Sequence, residues 1–162
     1  MQDRLDAVRQ KLEREILKVR YELEVDIPKR IEEARMKGDL TENAEYDSAK
    51  EQQDYMQVRL LQLTHRHAKL ANVDLSQVDP TKVGLYSLVD LEEPDNGKSY
   101  TYELVLPEEM DIKKGMISIL SPIGQQLRGH GVGDMVTIET PARTFIVNIK
   151  GFTSILGERI EI

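Results

Sequence analysis

Cysteine and tryptophan are absent from this chain, and its aromatics are only six Tyr and two Phe. Without cysteine, disulfides and thiolate metal sites are excluded, and a reducing compartment is compatible. No apolar run reaches the ~20 residues that a membrane-spanning helix needs. The N-terminus carries no signal-peptide pattern, so a soluble cytoplasmic protein is the expectation. Positive charge is also short: 22 Lys and Arg face 29 Asp and Glu, a formal net charge of −7. That argues against a general affinity for nucleic-acid phosphates. Any nucleic-acid role is therefore local or mediated by a partner protein.

What is abundant is charge of both signs, 31% of the 162 residues. So high a content suits long exposed helices better than one compact core. Residues 1–75 hold 14 Lys and Arg against 16 Asp and Glu, while residues 76–162 hold 8 against 13. The first part is dense and nearly balanced, the second sparser and more acidic. The shift marks two domains, 1–75 and 76–162.

In the first part, Leu5, Val8, Leu12, Ile16, Val19, Leu23, Ile27, Ile31 and Ala34 recur at steps of three and four. This is one apolar stripe of a helix. Glu22 and Asp26, four apart, repel each other. Pro28 removes a backbone hydrogen bond and predicts a kink, a local break or a restart. A second stripe, Ala49, Gln53, Met56, Leu60, Leu63, His67 and Leu70, follows a heptad spacing with two polar members. Gly38 supplies a turn between them. The pattern predicts an antiparallel coiled-coil hairpin, a rod of roughly 45–50 Å at ~1.5 Å per residue. By composition alone it reads as a spacer or dimerising element.

Beyond Leu75 the period changes. Alternation over Leu85–Leu91 and Tyr100–Leu106, separated by Pro94-Asp95-Asn96-Gly97, predicts a β-hairpin. Met116–Leu120, Met135–Thr140 and Arg143–Ile149 read as further strands, the last after a turn at Pro141. Ser121 and Pro122 open a short helix as N-cap and first residue. The fold class is α+β: a helical hairpin followed by a small antiparallel sheet bearing one helix.

Asp39 and Glu42 stand at the hairpin tip. One reading makes Asp39 the N-cap of the second helix, with Glu42 completing a capping box. The other makes them metal ligands, since two carboxylates three apart can converge on one hard cation. Two ligands do not hold Mg²⁺ tightly alone, so the tip would be half of a site. Arg35 and Lys50, set back from the tip on opposite helices, form either a small cationic patch or ordinary surface charge. His65 and His67 fall on different helix faces, which argues against a two-His metal site. His67 belongs to the seam and His65 to the surface. His130, within Gly129-His130-Gly131-Val132-Gly133, lacks the strand-before, helix-after context of a nucleotide fingerprint and reads as a turn.

The stretch GDLTENAEYDSAKEQQ, Gly38 to Gln53, closely resembles the tip of the bacterial Gre transcript-cleavage factors, the GreA-like branch in particular. A second stretch, SPIGQQLRGHGVGD from Ser121 to Asp134, is similar to the signature of their C-terminal domain. The resemblance implies an N-terminal coiled coil and an FKBP-like C-terminal domain without prolyl isomerase activity. It further implies a monomer that docks on bacterial RNA polymerase and inserts its coiled coil into the secondary channel. There Asp39 and Glu42 would share a Mg²⁺ with the polymerase, which itself cleaves the backtracked RNA. No Mg²⁺ would be held stably by the free protein. Arg35 and Lys50 would face the nascent RNA 3′ end, and Ser121, Pro122 and Ile123 would contact the polymerase. Two other readings compete. A non-cleaving channel regulator is disfavoured by the intact acidic pair, and a structural coiled-coil adaptor leaves the tip and the second domain unexplained.

Overall fold

The computed structural model describes residues 1–38 and 43–162. Two compact units divide between Val73 and Asp74. No helix among the described residues is long and apolar enough to cross a membrane.

The first unit is helical. Helix α1 spans Gln2–Tyr21, α2 Ile27–Met36 and α3 Ala44–Ala71. Between α1 and α2, Glu22–Asp26 form a π turn in which the Ile27 N–H donates to Glu22 O, five residues back. Pro28 has no N–H for the carbonyl four residues before it, and the wider turn absorbs that loss. Asp26 keeps helical dihedrals (φ −70°, ψ −48°) and makes no side-chain cap. The interruption expected at Pro28 is thus a widened turn with helical backbone on both sides, not a restart.

Cross-links pair early residues of the chain with late ones. Arg59 Nη2 donates to Glu15 Oε2 at 3.2 Å, and Arg30 Nη2 to Gln52 Oε1 at 2.5 Å. The ladder fixes α1 and α2 as antiparallel to α3. Leu5, Val8, Leu12, Ile16, Val19, Ile27 and Ala34 are buried, as are Ala49, Leu63 and Leu70 of α3. The remaining stripe members, Leu23, Ile31, Gln53, Met56, Leu60 and His67, are half-buried. Each fully buried Val, Leu or Ile contributes roughly 1.5–3 kcal/mol, so the seam dominates over the exposed ion pairs. At the far end Arg9 closes α3, donating to Leu70 O at 2.6 and 3.0 Å and to Val73 O at 2.9 Å. A cation suits the carbonyls of a helix C-terminus.

The second unit is a six-stranded sheet: β1 Leu88–Glu92, β2 Ser99–Val105, β3 Met116–Ser118, β4 Met135–Glu139, β5 Thr144–Thr153 and β6 Arg159–Glu161. The order is β3-β2-β1-β5-β4, with β6 also on β5. Helix α4, Pro122–Leu127, packs by β4. Val83, Val89, Leu91, Leu104, Leu127, Val136, Ile138, Val147, Ile149 and Phe152 form the core. The α+β class expected from the pattern is borne out, with three corrections. The β2–β3 pairing is parallel, so the sheet is not wholly antiparallel. β6 is an addition, because a three-residue strand carries too little alternation to be read. The first strand begins at Leu88, not Leu85. Tyr86 turns the chain at φ +64°, and its hydroxyl donates to Glu109 Oε1 at 2.6 Å.

The hairpin at Pro94–Gly97 is clamped by a carboxylate. Glu93 is 3% exposed. It accepts from Arg143 Nη2 at 2.5 Å and Nη1 at 3.1 Å, from Asn96 Nδ2 at 2.7 Å and from the Tyr100 hydroxyl at 3.1 Å. Arg143 also covers the Phe145 ring at 3.9 Å. These bonds, Arg143 foremost, lower the Glu93 pKa from 4.5 to about 2. A carboxylate with a depressed folded-state pKa stabilises the fold above its unfolded pKa and loses that contribution as pH falls. Urea denaturation followed by tyrosine fluorescence should therefore show stability falling between about pH 4.5 and pH 2. Glu93→Gln should flatten that slope. An unchanged slope in the variant would assign the acid sensitivity to other carboxylates.

Candidate functional site

At the tip, α2 ends with the Lys37 N–H donating to Ala34 O at 3.2 Å. Gly38 follows at φ +145°, with nothing within 4 Å of the place its Cβ would occupy. Glycine is required there by backbone conformation rather than by crowding. Asp39 and Glu42, the sequence-predicted acids, lie outside the described residues, as do Leu40 and Thr41.

The chain is described again at Asn43, which is extended (φ −81°, ψ 94°) and caps α3. Its Oδ1 accepts from the Tyr46 N–H at 3.2 Å, and its Nδ2 donates across to Ala34 O in α2. The expectation that Asp39 caps the second helix is thereby corrected. α3 starts at Ala44, and Asn43 fills the capping position. Asn caps about as well as Asp, and sequence spacing alone cannot choose between two nearby cap-competent residues. Lys37 Nζ also meets Glu45 Oε2 across the tip at 3.1 Å.

Arg35 lies in the last turn of α2, exposed, with Nη1 3.8 Å from Glu32 Oε2. Lys50 lies near the start of α3, and its Nζ donates to Gln53 Oε1 at 3.0 Å. Each is tied to its own helix and exposed. Arg30 and Lys37, which sequence reasoning missed, line a groove between α2 and α3 with Glu33, Glu45, Ser48 and Ala49. Their separation of seven residues, two helical turns, is the signal that could have found them. The groove carries both signs of charge, and no group of three His, Asp or Glu side chains suited to a metal occurs among the described residues.

On the sheet unit, Ser121 caps α4. Its Oγ accepts from the Gly124 N–H at 3.1 Å and donates to Ser118 O at 2.6 Å. Pro122 follows at the first helical position and is exposed. Ile123 is half-buried and packs on the core. Leu120, just before the cap, is 53% exposed. α4 seats closely because residue 124 is glycine: a Cβ there would stand 2.3 Å from Ser118 O. Gln126 anchors the other end, its Nε2 donating to Glu139 O at 2.9 Å and its Oε1 accepting from Glu139 N–H at 2.8 Å.

Comparison with known proteins falls on the same two units. The N-terminal domain model of the transcription elongation factors matches residues 6–72, and the GreA/GreB C-terminal domain model matches residues 78–154. The chain belongs to the GreA/GreB family of transcription elongation factors. Transcription elongation factor GreA of Christiangramia forsetii is 44% identical over 124 residues, 75% of this chain and 78% of that protein. GreA of Desulfovibrio desulfuricans is 42% identical over 140 residues, 86% of each. A solved structure of GreA factor homolog 1 (Gfh1) from Thermus thermophilus aligns at 25% identity and TM-score 0.41, covering 89% of this chain and 93% of that one.

The three histidines of this GreA/GreB-family chain have different surroundings. His67 Nε2 lies 3.1 Å from Glu13 Oε1 across the seam, and His65 is exposed. His130 follows α4 in a turn, 3.1 Å from Asp134 Oδ2. The Gly131 N–H and His130 hold the Asp134 carboxyl below its usual range.

The exposure of the α4 turn separates packing residues from surface ones. Ile123→Ala should destabilise the fold by roughly 1–3 kcal/mol. Leu120→Ala should change it by less than about 0.5 kcal/mol. Gly124→Ala, which drives a methyl into the Ser118 carbonyl, should cost at least as much as Ile123→Ala. Urea midpoints read by tyrosine fluorescence rank the three. Equal midpoints for Leu120→Ala and Ile123→Ala would remove Ile123 from the core.

Proposed function

We propose that the chain stimulates RNA polymerase to cleave its own backtracked transcript, completing another enzyme's active centre rather than catalysing alone. One observation carries this reading. Asp39 and Glu42 fall in the chain between α2 and α3, within the stretch that resembles the family's tip, and Asn43 caps α3. The cap position is thus filled without drawing on either acid. Their oxygens are the hard, anionic kind that Mg²⁺ prefers, and the polymerase would supply the rest of an octahedral shell. The chemistry would follow two-metal logic, one ion lowering the pKa of the attacking water and the other stabilising the leaving oxygen.

Arg35 and Lys50 hold positive charge near the tip of an otherwise acidic chain, where phosphates of the nascent RNA 3′ end would lie. The net charge of −7 makes attraction to RNA local rather than general. Contact with bacterial RNA polymerase is assigned to the α4 turn, through exposed Leu120 and Pro122 with half-buried Ser121 between them. Ile123 contributes from beneath by holding the turn. The protein acts as a cytoplasmic monomer in this reading. A non-cleaving channel regulator would dock alike but would not depend on the acids.

The decisive variants are Asp39→Asn and Glu42→Gln, which keep shape and remove charge. Stability and polymerase binding should stay near wild type. Cleavage of a stalled, backtracked complex at saturating factor should fall by orders of magnitude, partly relieved as Mg²⁺ is raised. Wild-type cleavage by both variants would defeat the proposal. For docking, Leu120→Asp with Pro122→Ala should weaken polymerase binding while leaving the circular dichroism spectrum unchanged. Undiminished affinity would move the contact elsewhere.

A further inference from the structure

We infer that Asn43 is a positioning residue for the tip acids: by bridging α3 to α2 it sets the spacing of the two ends from which residues 39–42 extend. The inference rests on the reading of Asp39 and Glu42 given above. The observation is that one side-chain amide serves both helices, its Oδ1 accepting from the Tyr46 N–H and its Nδ2 donating to Ala34 O.

Among the described residues, the Asn43 side chain ties the last turn of α2 to the start of α3. Lys37 and Glu45 also span the tip, but both are exposed, at 66% and 64% of the side chain, and such pairs contribute little and are screened by salt. The Asn43 bridge is uncharged and part-buried.

Residue chemistry narrows the choice to Asn. Ser, Thr and Asp cap a helix with an oxygen. Ionised Asp has no proton to donate, and a Ser hydroxyl ends one atom nearer the backbone. Asn alone of the good caps carries an acceptor and an N–H donor on opposite sides of one planar group. The carbonyl it reaches, in the last turn of α2, also accepts from the Lys37 N–H, so Nδ2 takes its second lone pair. Carboxylates that must join a metal of demanding octahedral geometry tolerate little displacement. A shift of about 1 Å can cost on the order of a hundredfold in rate. The bridge should therefore act on the maximal rate and not on docking.

The test compares Asn43→Ser, which keeps the cap and loses the bridge, with Asn43→Ala, which loses both, in the full chain with RNA polymerase. Maximal cleavage rate and half-saturating factor concentration are measured on a backtracked complex, with thermal melts alongside. Asn43→Ser should melt like wild type and reach half-saturation within about twofold. Its maximal rate should nevertheless fall about ten- to a hundredfold, close to that of Asn43→Ala. A role confined to capping predicts instead that Asn43→Ser cleaves like wild type and that only Asn43→Ala suffers. That result, or a loss confined to half-saturation, overturns the inference. The Asp39→Asn, Glu42→Gln double variant runs in parallel. If it is inactive while Asn43→Ser is unimpaired, only the positioning role fails. If it cleaves normally, the tip reading fails and takes this inference with it.

Discussion

The buried seam between α3 and the α1–α2 arm is the constraint on which the first unit depends. Apolar residues three and four apart line one face of each helix, and burying them is what keeps two strongly charged helices together. The seam also tapers in residue size. Leu12, Ile16 and Leu63 fill it along its length, whereas alanines, Ala34 and Ala49, are its buried members nearest the tip. Small residues let backbones approach, so a side chain as short as Asn43 can reach the Ala34 carbonyl. The polar contact at the tip is thus a consequence of apolar packing behind it.

The second unit is organised around one long strand. β5 has ten residues and meets β1 on one edge, while β4 and then β6 share the other. Its register with β1 shifts between Asp90 and Leu91. The sheet carries α4 at one side, and the helix is held there by closeness rather than by length. Six residues do not make a stable helix alone. Gly124 against Ser118, the Ser121 cap and the Gln126 amide on Glu139 hold it in place. Surface and packing roles then alternate along one turn: Leu120 and Pro122 outward, Ile123 toward the core.

Much of this architecture is legible in the order of the residues. The two helical stripes, the hairpin at Pro94–Gly97, the strands around Met135 and Phe145, and the Ser121–Pro122 helix start all follow from periodicity and local turn chemistry. Each depends on residues within a few positions of one another, which a linear reading can see. The acids of the tip are legible as a pair, but their task is not, because Asp39 and Asn43 are equally good caps by composition.

Periods, turns, charge balance and the family motif are therefore properties of the linear chain, since they are written in near neighbours. Other features arise only on folding. The β2–β3 pairing runs parallel, β6 forms against β5, and Arg9 closes α3 from 61 residues away. Pro28 is absorbed in a π turn, and Asn43 caps one helix while holding the other. Arg9 joins groups distant in the chain. The β2–β3, β5–β6 and Asn43–Ala34 contacts join nearer ones whose partners no periodicity marks. The geometry of each is set by which surfaces the core leaves adjacent.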